Sequence, residues 1–202
     1  MQPFLSPRLI LGSSSVYRKD LLSRLQLPFE IMLPAVDESP LPDESPPQTA
    51  LRLAKSKAGE IAAQTGPALI IGSDQVATLD GQQIGKPGNH ERALAQLQMM
   101  QGRSVVFHTA ICLHDSRPGS PAPLQLENVS TIVTFRNLPD AELNAYLLIE
   151  KPYDCAGSAK NEGLGIALIS AIEGTDPTAL TGLPLIALTF MLRQAGVQFF
   201  KS

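Results

Sequence analysis

Apolar residues in this chain fall into short runs and helical stripes that alternate from end to end. Leu9, Ile10 and Leu11 predict a buried strand, ended by Gly12 and three serines. Leu21, Leu22 and Leu25 then share one face of a helix, with the serines as candidate N-caps. Residues 29–33 predict a second strand, and residues 34–47 a proline- and acid-rich loop. Ser45, ahead of Pro46 and Pro47, reads as the cap and first turn of a helix reaching Ala63. Residues 68–71 predict a third strand, stopped by a Gly-Ser-Asp turn.

Asp80-Gly81, between apolar 76–79 and residues 82–84, predicts a hairpin. Asn89 caps a helix to about Met100, and residues 105–113 and 129–135 predict longer strands joined by a polar loop at 115–123. A helix from Pro139 through Ile149 and a strand over 164–169 follow. The last helix has Thr181 as its cap and Leu185, Leu188 and Leu192 on one side. Strands and helices interleave without repeats or low-complexity tracts. The expectation is one α/β domain over residues 1–202, with a mixed sheet, split into two lobes around a cleft.

Composition narrows the class. A chain of 202 residues buries roughly 70 % of its unfolded surface, enough for a core without disulfides. The net charge of −3 argues against a nucleic-acid coat or a polybasic membrane anchor. Two distant cysteines, Cys112 and Cys155, form no disulfide framework or zinc ribbon and read as small apolar residues in a reducing cytoplasm. His90, His108 and His114 have no metal-ligand spacing, so any metal must be a hard cation on carboxylates and phosphates. The first fifteen residues lack the basic flank and long apolar run of a signal peptide, and no stretch is long enough to span a membrane.

The polar clusters suggest a phosphate-bearing ligand. Gly12-Ser13-Ser14-Ser15 enters a helix whose N-terminus offers free N–H groups, and Arg18 can return to the same face as a phosphate fork. A serine-rich cap with one exposed arginine is also a common structural feature. Asp74 follows a glycine at the end of a buried strand, where it can orient a water, ligate a cation or merely cap a turn. Lys57, Lys86 and Lys160 sit near polar or glycine-rich turns, as polyphosphate cations or as ordinary surface residues. Residues 155–165 match neither a P-loop nor a dinucleotide fingerprint and leave a flexible polar loop able to approach a ligand.

Taken in order, LGSSSVYRKDLL, PAVDES, LRLAKSKA, IIGSDQV, GKP, CAGSAKNEG and TGLPL resemble the Maf family of nucleoside triphosphate pyrophosphatases, also called septum-formation-inhibitor proteins. The resemblance runs from Leu9 to about Gly196. It implies an elongated α/β fold with two lobes around a cleft, a frequent homodimer, a divalent cation such as magnesium or manganese, and hydrolysis between the α and β phosphates. Carried onto this sequence it implies Asp74 as catalytic base. Ser13, Arg18, Lys57 and Lys86 become phosphate-binding positions, and Glu38, with Asp74, a metal-side carboxylate.

Where the family usually has Ser-x-Ser-Pro-Arg-Arg, this chain has Val16 and Tyr17 in place of the proline and first arginine. The branch acting on 7-methyl-GTP is similar in carrying an aromatic residue there, a Gln matched by Gln75 and a Glu matched by Glu162. Methylated guanine is cationic, and a cation over an aromatic face gains about 0.5–2 kcal/mol. Glu162 can accept from guanine N1–H and its amino group, whereas Tyr17 can equally be a helix residue packed beside Leu21. The expectation is a cytoplasmic house-cleaning hydrolase of modified nucleotides, above all 7-methyl-GTP, with no nucleic-acid or membrane partner. The alternatives are a cell-division regulator that binds nucleotide with little catalysis, and a pyrophosphatase preferring dTTP or UTP.

Overall fold

The computed structural model describes residues 7–200. The signal-peptide reading and the two ends of the expected domain fall partly outside the described residues. Seven strands form one mixed sheet: β1 (Leu9–Gly12), β2 (Glu30–Met32), β3 (Leu69–Leu79), β4 (Gln82–Ile84), β5 (Ser104–Asp115), β6 (Leu124–Phe135) and β7 (Ile169–Gly174). Their order is β2-β1-β3-β5-β6-β7, with β4 also on β3. Only β2, β1 and β3 run parallel; the other pairings are antiparallel. Helices α1 (Val16–Ser23), α2 (Pro46–Gln64), α3 (His90–Met100), α4 (Asp140–Glu150) and α5 (Leu185–Gln194) flank it.

β3 organises the molecule. One edge pairs continuously with β5, from Leu69↔Asp115 to Thr78↔Val106. The opposite edge is shared: β1 pairs with it up to Gly12↔Gly72, and β4 only from Ala77↔Ile84 onward. Residues 73–76 therefore have no strand beside them on that edge, and a gap opens in the sheet. The same division appears in the core. Leu9, Leu11, Leu69, Ile71, Ile111 and Leu113 pack with α1 and α5 at one end. Ala77, Leu79, Val105, Phe107, Val133 and Phe135 pack with α3 and α4 at the other. Alternate residues of one sheet face are apolar at both ends, and between them the same face carries Ser73, Gln75, Thr109 and Thr131.

The other face of β3 lies under α2, where Ala50, Ala54, Ala58 and Ile61 pack on Ile10 and Ile70. Gly72 permits that approach: a Cβ there would stand 2.1 Å from the Ala54 carbonyl oxygen and 2.8 Å from the Ala58 nitrogen. The α2 entry follows the sequence expectation, with Ser45 and Gln48 forming a reciprocal capping box ahead of the proline-led first turn.

Three expectations change. Gly72-Ser73-Asp74 does not end the third strand, because β5 pairs with every residue from Leu69 to Thr78 and the ladder overrides the turn preference. Residues 164–168 form a 3-10 turn rather than a strand, and β7 begins only at Ile169. The loop curls there because Gly165 lies against the Lys160 backbone, whose oxygen a Cβ would meet at 2.4 Å. Thr181 does not cap α5. Asp176 and Thr178 do so, accepting from Ile186 N at 2.7 Å and Leu185 N at 2.8 Å.

Adding one methyl at Gly72 pushes α2 off β3. Gly72→Ala is expected to lose about 3 kcal/mol of stability or to fail to accumulate as folded protein. A urea midpoint equal to that of the wild type contradicts this account of the α2–β3 contact.

Candidate active site

The gap beside residues 73–76 opens into a cleft of about 820 Å³, within the usual range for small-molecule sites. Its walls come from both ends of the sheet: residues 12–18 and Lys57 on one side, residues 83–86, Phe107 and the 154–162 loop on the other. Of the residues singled out from the sequence, Ser13, Tyr17, Arg18, Glu38, Lys57, Asp74, Gln75, Lys86 and Glu162 line this one cavity, and Lys160 does not.

At its floor lies a buried ammonium. Lys57, projecting from α2, donates to Asp74 Oδ1 at 2.7 Å and sits 2.6 Å from Glu38 Oε1. Lys57 and Asp74 are buried, whereas the Glu38 side chain is about half exposed, at 55 %. A buried cation is tolerable only with partners, and here two carboxylates share it. The Lys57 contact holds the Glu38 carboxyl below its ordinary range, aided by the charges of Lys86 and Arg18.

The Glu38 loop is fastened to α2 in three places. Glu60 accepts from Ala35 N at 3.3 Å; Arg52 donates to the Ser39 carbonyl at 2.9 Å; and Arg52 pairs with Glu44 at 2.7 Å and 2.8 Å. Glu44 also accepts from Leu41 N and the Thr49 hydroxyl, and its pKa falls to about 2, chiefly through Arg52.

Ser15 caps α1 by accepting from Arg18 N. The Ser13 hydroxyl accepts from Ser15 N at 3.1 Å and from Arg18 Nη1 at 3.3 Å. Arg18 Nε donates to the Gly182 carbonyl at 2.8 Å, and Nη2 has no protein partner among the described residues. Burial lowers the Arg18 pKa, opposed by Asp74 and Glu38, and a guanidinium keeps its charge throughout. Lys86 is exposed and makes no ion pair among the described residues. Lys160, the third lysine noted in the sequence, is turned away, its Nζ donating to the Glu150 carbonyl at 3.2 Å.

Tyr17 is half-buried on the same helix as Arg18, across the cleft from the 154–162 loop. Burial raises the Tyr17 pKa, opposed by the charge of Lys160 and aided by those of Glu162 and Asp154. Glu162 lies on the rim, where desolvation raises its own pKa. Gln75 spends its amide N–H groups on Thr109 Oγ1 and the carbonyls of Ala179 and Leu180 at 2.9–3.2 Å, so only its oxygen faces a ligand. Cys112 is buried with apolar neighbours, and Cys155 is half-buried on the cleft wall with its thiol pushed up to about 12 by burial.

Sequence reading missed the strut formed by residues 176–182. Gly182 O accepts from both Arg18 and Ser73, Ala179 O accepts from Thr109, and Asn161 donates to Thr181 at 3.3 Å. The polar positions 73, 75 and 109 within apolar strands were the available signal.

With this geometry in place, kinship is decisive. The family model described as "Maf-like protein" matches residues 8–195. The chain belongs to the Maf family. A protein of Ralstonia nicotianae named 7-methyl-GTP pyrophosphatase is 63 % identical over 96 % of this chain and 98 % of its own. Proteins of the same name from Cupriavidus metallidurans and Burkholderia thailandensis are 63 % and 64 % identical, over 96 % and 97 % of this chain and 96 % and 91 % of theirs. A HAM1 protein of known structure from Coxiella burnetii is a distant likeness without functional weight. It is 20 % identical over 66 % of this chain and 75 % of its own, with a TM-score of 0.47.

The Arg52–Glu44 pair stabilises the fold fully above about pH 4.5, and that contribution is lost as pH falls towards 2, because the Glu44 pKa is depressed in the folded state. The urea midpoint of the wild type is expected to fall more across this window than that of Arg52→Leu. Parallel midpoint curves for the two proteins contradict the clamp.

Proposed function

We propose that this Maf protein hydrolyses the α–β phosphoanhydride of a nucleoside triphosphate, with 7-methyl-GTP as the preferred substrate. One observation carries the reading: a single cleft holds Ser13, Arg18, Lys57 and Lys86 together with Asp74, and also Tyr17 and Glu162. Cations suited to phosphate and groups suited to a cationic purine face one space of nucleotide size.

Phosphate oxygens are held at the Ser13–Ser15 entry to α1 by helical N–H groups and by Arg18, whose Nη2 is free of protein partners among the described residues. Lys86, exposed and without an ion pair among the described residues, supplies a movable point charge. Asp74 gives Oδ1 to Lys57, and its Oδ2 has no hydrogen bond among the described residues. That oxygen takes the proton of the attacking water, while Lys57 fixes the carboxylate in place. Pyrophosphate leaves, and the monophosphate remains at the base end.

Asp74 and Glu38 converge on the Lys57 ammonium, and among the described residues each keeps a second oxygen unengaged. Two carboxylates completed by phosphate oxygens suit a magnesium-type cation, and no trio of His, Cys, Asp or Glu among the described residues suits a caged metal. The residues fit a hard divalent cation held by Glu38, Asp74 and the substrate. The chemistry such a cation supplies is neutralisation of phosphate charge.

At the base end, 7-methylguanine carries a positive charge that favours the Tyr17 ring and the Glu162 carboxylate alike. Glu162 is exposed at the rim, its pKa raised by partial desolvation, and a cationic base with N–H donors offers it a charged partner. Two thiols, one deeply buried, agree with work in a reducing cytoplasm on free nucleotides. Among the described residues, no helix is long and apolar enough to cross a membrane.

Asp74→Asn removes the base but keeps the shape. Pyrophosphate release is expected to fall by about two to four orders of magnitude while nucleotide binding persists, and near-normal turnover refutes the assignment. Tyr17→Ala should lower kcat/KM for 7-methyl-GTP about ten-fold more than for GTP, following the cation–aromatic term. Equal losses on the two substrates reject the stacking role.

A further inference from the structure

One side chain, outside the cavity lining, joins two loops that build the same wall of the cleft. Gln96, half-buried on α3, donates from Nε2 to the Gly85 carbonyl at 3.0 Å, next to Lys86. Its Oε1 accepts from the Ser158 hydroxyl at 2.6 Å, in the loop that carries Glu162. Donor and acceptor of one planar amide are thus committed to two loops 73 residues apart in the chain, from positions 85 and 158.

The Ser158 end is under strain. Gly157 and Ser158 both have left-handed backbone, with φ of 73° and 53°, and Ser158 is fully buried. A non-glycine residue in that region stays there only when its surroundings compel it. Gln96 offers its hydroxyl the one side-chain partner it has among the described residues. A second seam runs alongside: Gly88 N donates to the Tyr153 carbonyl at 2.9 Å, and His90 contacts the Tyr153 hydroxyl at 3.1 Å and Asn144 Oδ1 at 2.7 Å. It fixes the base of each loop, whereas Gln96 reaches towards their functional ends.

We propose that Gln96 is a positioning residue that couples the phosphate grip to the base grip. This rests on the functional reading above, with Lys86 at the phosphate end and Glu162 at the base end. With the bridge intact, both loops are arranged before the ligand arrives. Without it, the ligand must order them, and the cost appears as weakened binding rather than slower chemistry.

Calorimetry with inorganic pyrophosphate alone, and steady-state kinetics on the triphosphate that turns over best, test this. Gln96→Leu is expected to raise KM about ten-fold with kcat within about three-fold. Ser158→Ala cuts the bridge on the base side, at a residue that does not line the cleft, and is expected to weaken pyrophosphate about five-fold. This arm holds even if Gln96→Leu folds poorly. Lys86→Ala serves as the control. Undiminished pyrophosphate binding by Lys86→Ala overturns the phosphate reading itself. Loss in Lys86→Ala but wild-type affinity in both bridge variants overturns the coupling alone.

Discussion

A lysine ammonium taken out of water must be neutralised where it lies, and this requirement ties the site to the fold. Lys57 reaches the floor of the cleft because α2 lies almost in contact with β3, and α2 lies there because Gly72 has no side chain. Asp74 and Glu38 then meet on the ammonium from two directions, one from the middle of the sheet and one from a loop. The loop is itself fastened to α2 by Arg52 and Glu60. Removing Lys57 leaves the buried Asp74 carboxylate without its partner, which costs far more than an exposed ion pair returns.

The cleft exists because β3 is longer than its neighbours on one edge. β1 stops at Gly12 opposite Gly72 and β4 reaches no further than Ile84 opposite Ala77, so the sheet supplies backbone to both walls and nothing between them. The strut at residues 176–182 closes the opposite face of the same stretch by accepting hydrogen bonds from Ser73, Gln75 and Thr109. Asp176, buried at its start, satisfies Thr178 and the first turn of α5. Paired strands hold Asp74, while loops carry Glu38, Lys86 and Glu162.

Much of this was readable in the residues. The run Leu9 to Leu11, the Asp80-Gly81 hairpin and the Ser45-Pro46-Pro47 helix entry were legible because local chemistry and tertiary structure agree there. The gap was not. Gly72-Ser73-Asp74 has turn chemistry, and only the β5 ladder keeps it extended. Ordered motifs placed nine side chains in one cleft, yet could not show that Lys57 occupies the carboxylates or that Gln75 has spent its donors. The Gly182 carbonyl is invisible in principle, since any residue has one. Gln96 carries no motif, and its meaning comes only from the two loops it joins.

The central claim is that water attacks the α-phosphorus of a triphosphate lying across both ends of the cleft. Single-turnover hydrolysis of 7-methyl-GTP in oxygen-18 water, with products analysed by mass spectrometry, reads this directly. The account predicts a nucleoside monophosphate carrying one heavy oxygen, and unlabelled pyrophosphate. Label in the pyrophosphate, or release of a nucleoside diphosphate with inorganic phosphate, contradicts it.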